Sequence, residues 1–320
     1  MKELAILIPA GSTPLSSLVL TVETIEKANA HFVQKGKAPV FKPTLVGSGK
    51  GPIGNDLFTI RQYIDTQQDY TADMIIVPSL GDDIDNGIQR NEKNIEWIIR
   101  QYKNGAEVVS LCTGAFMLAA AGILDGRKCS THWAAADAFR TMFPQVKLTI
   151  EKIITEEKGI YTSGGALSAM NLVLHIIGRY YDRETAIYCA KVFTVEYDRN
   201  DQSEFMIFSG QKDHGDKDIR KVQLFMESKV GEKIIVEDLC ERFSIDRRNF
   251  DRRFKKATGN SPYEYLQRIK IEAAKKYLET SRKTVSEIMY EVGYSDVRAF
   301  REVFKKYTGM SPEDYKQKYN

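Results

Sequence analysis

The stretch FDRRFKKATGNSP at residues 250–262 returns as FREVFKKYTGMSP at residues 300–312, at a constant offset of 50. A repeat of this kind marks one supersecondary unit used twice. Upstream, Leu239–Phe243 corresponds to Ile288–Val292, with one residue inserted near the turn. Each copy reads as a short helix, a tight turn and a longer helix. Phe250 and Phe254 stand four apart, as do Phe300 and Phe304, so each pair faces one core. Gly259 and Gly309 end the longer helices, and Ser-Pro opens the next segment. Gly293 fits a C-cap, where positive φ is cheap. Asp246, and Ser295 or Asp296, fit N-caps.

The residues left outward on the first long helix are Arg247, Arg248, Asp251, Arg252 and Lys255. On the second they are Arg298, Arg301, Lys305 and Lys306. A basic helix after a tight turn can enter the major groove of double-stranded DNA, with Arg reading guanine edges and Lys neutralising phosphates. One such charge run alone would be an ordinary solvated face. Two in register, each with its turn and cap, argue for DNA. The charge distribution agrees. Residues 216–320 carry 24 basic and 18 acidic side chains, net +6, against 22 and 25, net −3, before them. Only the C-terminal part is therefore suited to a polyanion.

Outward from the repeat, the 320 residues suggest two domains. With 42% apolar and 28% charged residues, wholesale disorder and collagen-like repeats are excluded. No apolar stretch approaches the length of a membrane helix, so no membrane partner is expected. The opening MKELAILIPAGS reads as a buried strand rather than a signal-peptide core. Four Cys without a pairing pattern suit a reducing, cytoplasmic setting. The scattered His and Cys lack zinc spacing, so neither metal nor cofactor is expected.

Strand-like Leu4–Pro9, Met74–Leu80 and Glu107–Leu111 alternate with helical 15–31, 94–103 and 113–121. Residues 147–155 and 159–162 read as a late hairpin, then 166–181 and 184–195 as helices. Continuous apolar strands between helices imply an α/β sandwich with a mostly parallel sheet. The polar run 199–217 marks the boundary. It gives a first domain over 1–200, a linker over 201–216 and an all-α domain with two helix-turn-helix motifs over 217–320.

Ser110-Leu-Cys112-Thr-Gly114 carries a strand into a helix, with small residues two before and two after a central Cys, as a strained elbow requires. A helix N-terminus there is expected to depress the thiol pKa. Of four His, only His132 sits in a loop-like setting that suits a general base. The plainer reading of Cys112 is a small buried hydrophobe.

The C-terminal motifs LCERFSIDRRNFDRRFKKATGNSPYEYLQRIKIEAAKKYL and VSEIMYEVGYSDVRAFREVFKKYTGMSPEDYK resemble the AraC/XylS family of transcription regulators. That resemblance implies two helix-turn-helix subdomains joined by a long helix near 263–279. It also implies base readers among Arg248, Asp251 and Arg252, and among Val297, Arg298 and Arg301. Glu302 departs from the Arg frequent at its position. The motifs IIVPSLGDD, SLCTGAFMLAAAGILDGRKCSTHWA, FPQV and GIYTSGGALSAMNLVL resemble the PfpI-like branch of the type-1 glutamine amidotransferase-like fold, which is flavodoxin-like. Regulators of this combined type use the first domain to sense ligands and to dimerise. Thr113 replaces the His that follows the Cys in catalytic members, and Asn171 an Asp common in related regulators. The loop 10–13 after the first strand also lacks a carboxylate to assist the thiol.

The expectation is a non-enzymatic, dimeric, DNA-binding regulator. Its small-molecule effector is not identified, and its pocket is lined by Cys112, Thr113, His132, Trp133, Gly164 and Gly165. Cys112 and His132 are then vestiges of a catalytic pair. The alternative is a cysteine-dependent hydrolase or amidase carrying a DNA-binding tail.

Overall fold

The run LAILI at residues 4–8 is apolar at every position, which suits a strand covered on both faces. It lies in β1 (Lys2–Ile8), where Ala5 and Leu7 join one core and Leu4, Ile6 and Ile8 another. The computed structural model describes residues 1–320 apart from 12–13, 49–52, 55–58, 61–62, 82, 166, 198 and 213. Six further strands share the sheet of β1: β2 (Phe41–Gly47), β3 (Ile64–Asp65), β4 (Met74–Val77), β5 (Glu107–Leu111), β6 (Ile154–Glu157) and β7 (Ile160–Ser163). Their order is β6-β7-β5-β4-β1-β2-β3, and only β6 and β7 pair antiparallel.

Seven helices flank this sheet: α1 (Leu15–Gln34), α2 (Ile84–Arg90), α3 (Glu92–Lys103), α4 (Ala115–Ala120), α5 (Ala136–Met142), α6 (Ala169–Tyr180) and α7 (Arg183–Val192). Leu18 and Ile25 of α1, Leu172 and Ile176 of α6 and Ala186 of α7 cover one face. Trp97 and Ile98 of α3, Phe116 of α4 and Phe139 of α5 cover the other. This is the flavodoxin-like α/β sandwich that the alternating strands imply. The strand β2 has no counterpart in the sequence reading, because Lys42 and Pro43 interrupt its apolar pattern. Pro43 is tolerated because β3 pairs only with Val46 and Gly47, so no described strand needs its missing N–H. In the expected hairpin the first arm is shorter, since only Ile154–Glu157 pairs with β7, and Lys147–Leu148 pairs with Lys128–Cys129 instead. The helix expected from Ala166 begins at Ala169, and Ala166 itself lies outside the described residues.

The chain divides into two units, 1–202 and 203–320. The second holds α8 (Lys217–Ser228), α9 (Val236–Arg242), α10 (Arg247–Thr258), α11 (Pro262–Thr280), α12 (Val285–Glu291), α13 (Val297–Thr308) and α14 (Pro312–Tyr319). The repeat is physical. Asp246 and Asp296 cap α10 and α13 by accepting from the N–H of Asn249 and Ala299 at 3.1 and 2.6 Å. Thr258 and Thr308 both close their helix on a Phe carbonyl, Phe254 and Phe304, at 2.8 Å. Tyr265 meets Phe254 edge-on at 5.3 Å, and Tyr315 meets Phe304 likewise at 5.5 Å. The stretch expected as a linker is packed. Gln202 is buried in the first unit. Within the second unit, the carbonyl of Met206 accepts from Lys275 at 2.6 Å, and the N–H of Phe208 donates to Glu272 at 3.1 Å.

The turn glycines separate by their surroundings. Gly259 has φ 69° and nothing near a would-be Cβ, whereas at Gly293, φ 73°, a Cβ would meet Lys270 Nζ at 2.5 Å and Gly231 O at 2.9 Å. Gly259→Ala is expected to cost about 1–2 kcal/mol, the left-handed penalty alone. Gly293→Ala is expected to cost a further ~1–3 kcal/mol through overpacking. Urea unfolding of the full chain, followed by helical circular dichroism, checks the order; equal losses would refute it.

Candidate functional site

The sheet delivers its chemistry at the C-terminal ends of β4, β5 and β7. After Leu111 the chain turns through Cys112 at φ 56°, in the left-handed region that a side chain rarely adopts. A short 3-10 turn, Cys112–Gly114, then leads into α4. The turn is forced close to β4: a Cβ on Gly114 would lie 2.5 Å from Val77 O and 2.6 Å from Pro78 O. The hydroxyl of Thr113 donates to Leu80 O at 2.9 Å, fixing the elbow against the loop after β4.

Behind the elbow, Thr131 donates to Cys112 O at 3.0 Å, which brings the His132–Trp133 loop alongside. Thr131 O accepts in turn from Gln202 Nε2 at 3.0 Å, and the same amide reaches Ile150 O at 2.6 Å. A Cβ on Gly164 would fall 2.1 Å from that nitrogen, so only glycine fits there. Gly165, at φ 67°, takes the left-handed turn into α6. Cys112, Thr131, Gln202 and Gly164 are thus joined by hydrogen bonds and a close approach, with His132 and Trp133 following Thr131 in the chain. Ser110 Oγ, Asn171 Oδ1 and Gln202 Oε1 are buried and have no partner among the described residues. Gln202, Thr131 and Ser79 were not among the expected site residues. The first lies in a segment that reads as linker, and the partners of all three are backbone atoms or a thiol distant in sequence.

The electrostatics correct one expectation. Cys112 is only 5% exposed, and burial pushes its thiol pKa up. Hydrogen bonding with the Ser79 side chain and with the backbone and side chain of Thr113 opposes this but does not outweigh it. The helix that follows has six residues after a 3-10 turn, too short to hold a thiolate against that desolvation. His132 is half-buried, and burial pulls its pKa down. Its Nδ1 accepts from Ala134 N–H at 3.1 Å, so the neutral ring carries its proton on Nε2. No hydrogen bond joins Cys112 to His132 among the described residues. Ser12 and Thr13 of the loop 10–13 lie outside the described residues.

In the second unit α10 and α13 present the expected faces. Arg248, Lys255 and Lys305 are exposed and carry no ion pair among the described residues. Arg247 pairs with Asp251 and Glu237, Arg252 bonds to Asn249, Arg298 pairs with Glu302 and Arg301 with Glu313. Exposed pairs of this kind are worth about 0–1 kcal/mol and exchange readily for phosphate. Arg253 sits in the same basic run but turns inward, forking onto Asp216 at 2.6 and 2.8 Å.

With this geometry in place the chain can be compared with known proteins. Residues 19–179, just over half of the chain, match the DJ-1/PfpI family. The chain belongs to the DJ-1/PfpI family. Residues 239–318 match a helix-turn-helix domain, of the AraC type. The transcriptional regulator GbdR of Pseudomonas aeruginosa is 27% identical over 211 residues, which cover 65% of this chain and 57% of that one. The isonitrile hydratase of Pseudomonas putida is 27% identical over 99 residues, 31% of this chain and 42% of that one. DJ-1beta of Drosophila melanogaster, 17% identical, superposes with a TM-score of 0.51 over 62% of this chain and 100% of its own, and shows the fold.

A buried thiol of raised pKa reacts slowly at neutral pH. Iodoacetamide labelling of Cys112, followed by peptide mass mapping, is expected to run slower at pH 7 than labelling of a free cysteine peptide. It should accelerate as pH rises beyond 9. Labelling faster than the peptide at pH 7 would show a low-pKa nucleophile instead.

Proposed function

We propose that this protein is a sequence-specific DNA-binding transcription regulator whose first unit senses a small molecule and pairs two chains in the cytoplasm. The observation that carries the reading is the duplicated helix-turn-helix, with capped α10 and α13 each presenting a basic face. Arg248, Asp251 and Arg252, with Arg298 and Arg301, are the proposed base readers. Arg247, Lys255, Lys305 and Lys306 would serve the phosphates. Transcription regulation is also the role of GbdR, which the similarity covers over 57% of its length. Selection of genomic duplexes by the full chain at low salt should yield one enriched sequence, with affinity falling steeply as salt rises. Arg248→Ala should weaken that site by about 1–3 kcal/mol, and weaken it selectively. Failure to enrich any duplex would overturn the reading.

The effector pocket is proposed at the elbow rim, around Cys112, Thr113, His132, Trp133, Gly164 and Gly165. The unpartnered Gln202 Oε1, on the amide that holds Thr131 O behind the elbow, supports a polar ligand there, since buried polar atoms ordinarily find partners. A second reading, a cysteine hydrolase or hydratase, is favoured by one feature, the left-handed Cys112 of the elbow. Against it stand the raised thiol pKa and the lack of a described hydrogen bond to His132. Cys112→Ser is expected to alter the effector response while leaving basal DNA affinity unchanged. Saturable turnover of amide, ester or isonitrile substrates, abolished in Cys112→Ser, would establish the second reading.

A further inference from the structure

α11 is one helix serving two cores. Tyr265, Leu266 and Ile269 pack into the core of the first helix-turn-helix, and Ile271, Ala274 and Leu278 into that of the second. Lys270 lies between Ile269 and Ile271, at the change of core, and is 9% exposed. Its Nζ donates to Glu232 O at 3.1 Å, in the loop after α8, and to Gly293 O at 3.2 Å, in the turn after α12. The Tyr294 ring lies 5.6 Å away. That loop and that turn also meet backbone on backbone. A Cβ on Gly231 would lie 2.7 Å from Glu291 O, and one on Gly293 would lie 2.9 Å from Gly231 O. Val230 packs against both cores. Among the described residues no carboxylate pairs with this ammonium, and burial pulls its pKa down. The other buried lysine of α11, Lys275, has Glu272 at 3.0 Å. A buried cation held only by carbonyls and a ring is costly to keep, and such groups are best attested as devices that fix register.

We propose that Lys270 is a positioning residue, locking the two helix-turn-helix units at one separation so that the protein reads two DNA elements at a single fixed spacing. This rests on the DNA-binding reading above. α10 and α13 each attach to α11 through their own core, so their relative placement depends on α11 and on this junction. The carbonyls that Lys270 holds belong to the backbone of one unit's loop and of the other unit's turn. Neither can swing away as a side chain would. Removing the ammonium leaves each unit's core intact and frees the angle between them.

The test uses the full chain and the duplex selected by the wild type, with the two elements moved apart or together by one and two base pairs. The wild type is expected to lose about tenfold in affinity per base pair of altered spacing, comparable with a mismatched pair. Lys270→Met is expected to bind the native spacing within severalfold of wild type but to lose less than threefold on altered spacings. Lys275→Met, which also removes a buried cation from α11, should keep the wild-type profile. If Lys270→Met does not fold, Gly231→Ala tests the same junction by pushing on Glu291 O, and should flatten or displace the profile. A folded Lys270→Met, or Gly231→Ala, with the wild-type spacing profile would overturn the proposal while leaving DNA binding standing. A wild type that enriches no duplex removes both.

Discussion

Burial on two sides at once is the constraint on which both units depend. Strand β1 divides consecutive side chains between two cores, and α11 does the same with Ile269 and Ile271. A strand covered on both sides has no wet face on which to carry polar chemistry, whereas α11 keeps Tyr263, Lys276 and Tyr277 exposed. Polar function is displaced to the ends of such elements, to the elbow beyond β5 and to helices α10 and α13 packed on only one side. The fold thereby decides where a ligand or a duplex can be met before any particular side chain is considered.

At the elbow, close packing and reactivity oppose each other. Gly114 lets the turn approach the carbonyls of Val77 and Pro78, and that approach holds Cys112 in its left-handed conformation. The same approach shuts out water, and the thiol is pushed toward its neutral form. Ser79 and Thr113 supply hydrogen bonds but no charge. A strained elbow thus does not by itself activate its thiol, because burial outweighs the hydrogen bonds around it.

Much of this was legible in the sequence. Residues 4–8 and 74–77 are apolar throughout, and 107–111 only at Val108, Val109 and Leu111, yet all three read as buried strands, and the 50-residue offset marks the double helix-turn-helix with its caps. What escaped reading shares a physical cause. β2 carries Lys42 and Pro43, tolerated because that part of the strand lacks a described outer neighbour. Arg253 is chemically like Arg252, and only the fold turns one onto Asp216 and the other outward. Gln202 and Lys270 act on backbone carbonyls, which every residue possesses and no sequence pattern marks. The expected fall in the Cys112 pKa failed because a motif shows the helix to come but not the depth of burial.

The sheet order also governs how the chain is made. Leu4 pairs with Met74, and Val77 with Ser110, so the centre of the first unit cannot close until residues 107–111 have been synthesised. At roughly 5–20 residues per second, β1 waits about 3–14 s for β4, and β4 then waits about 2–7 s for β5, each with an apolar edge unpaired. Such edges are templates for pairing with other chains. The second unit closes over separations as long, since Gly231 meets Glu291 and Lys275 holds Met206 O, but its helices satisfy their own backbone and leave no such edge. The first unit is therefore the one open to self-association while its strands await their partners.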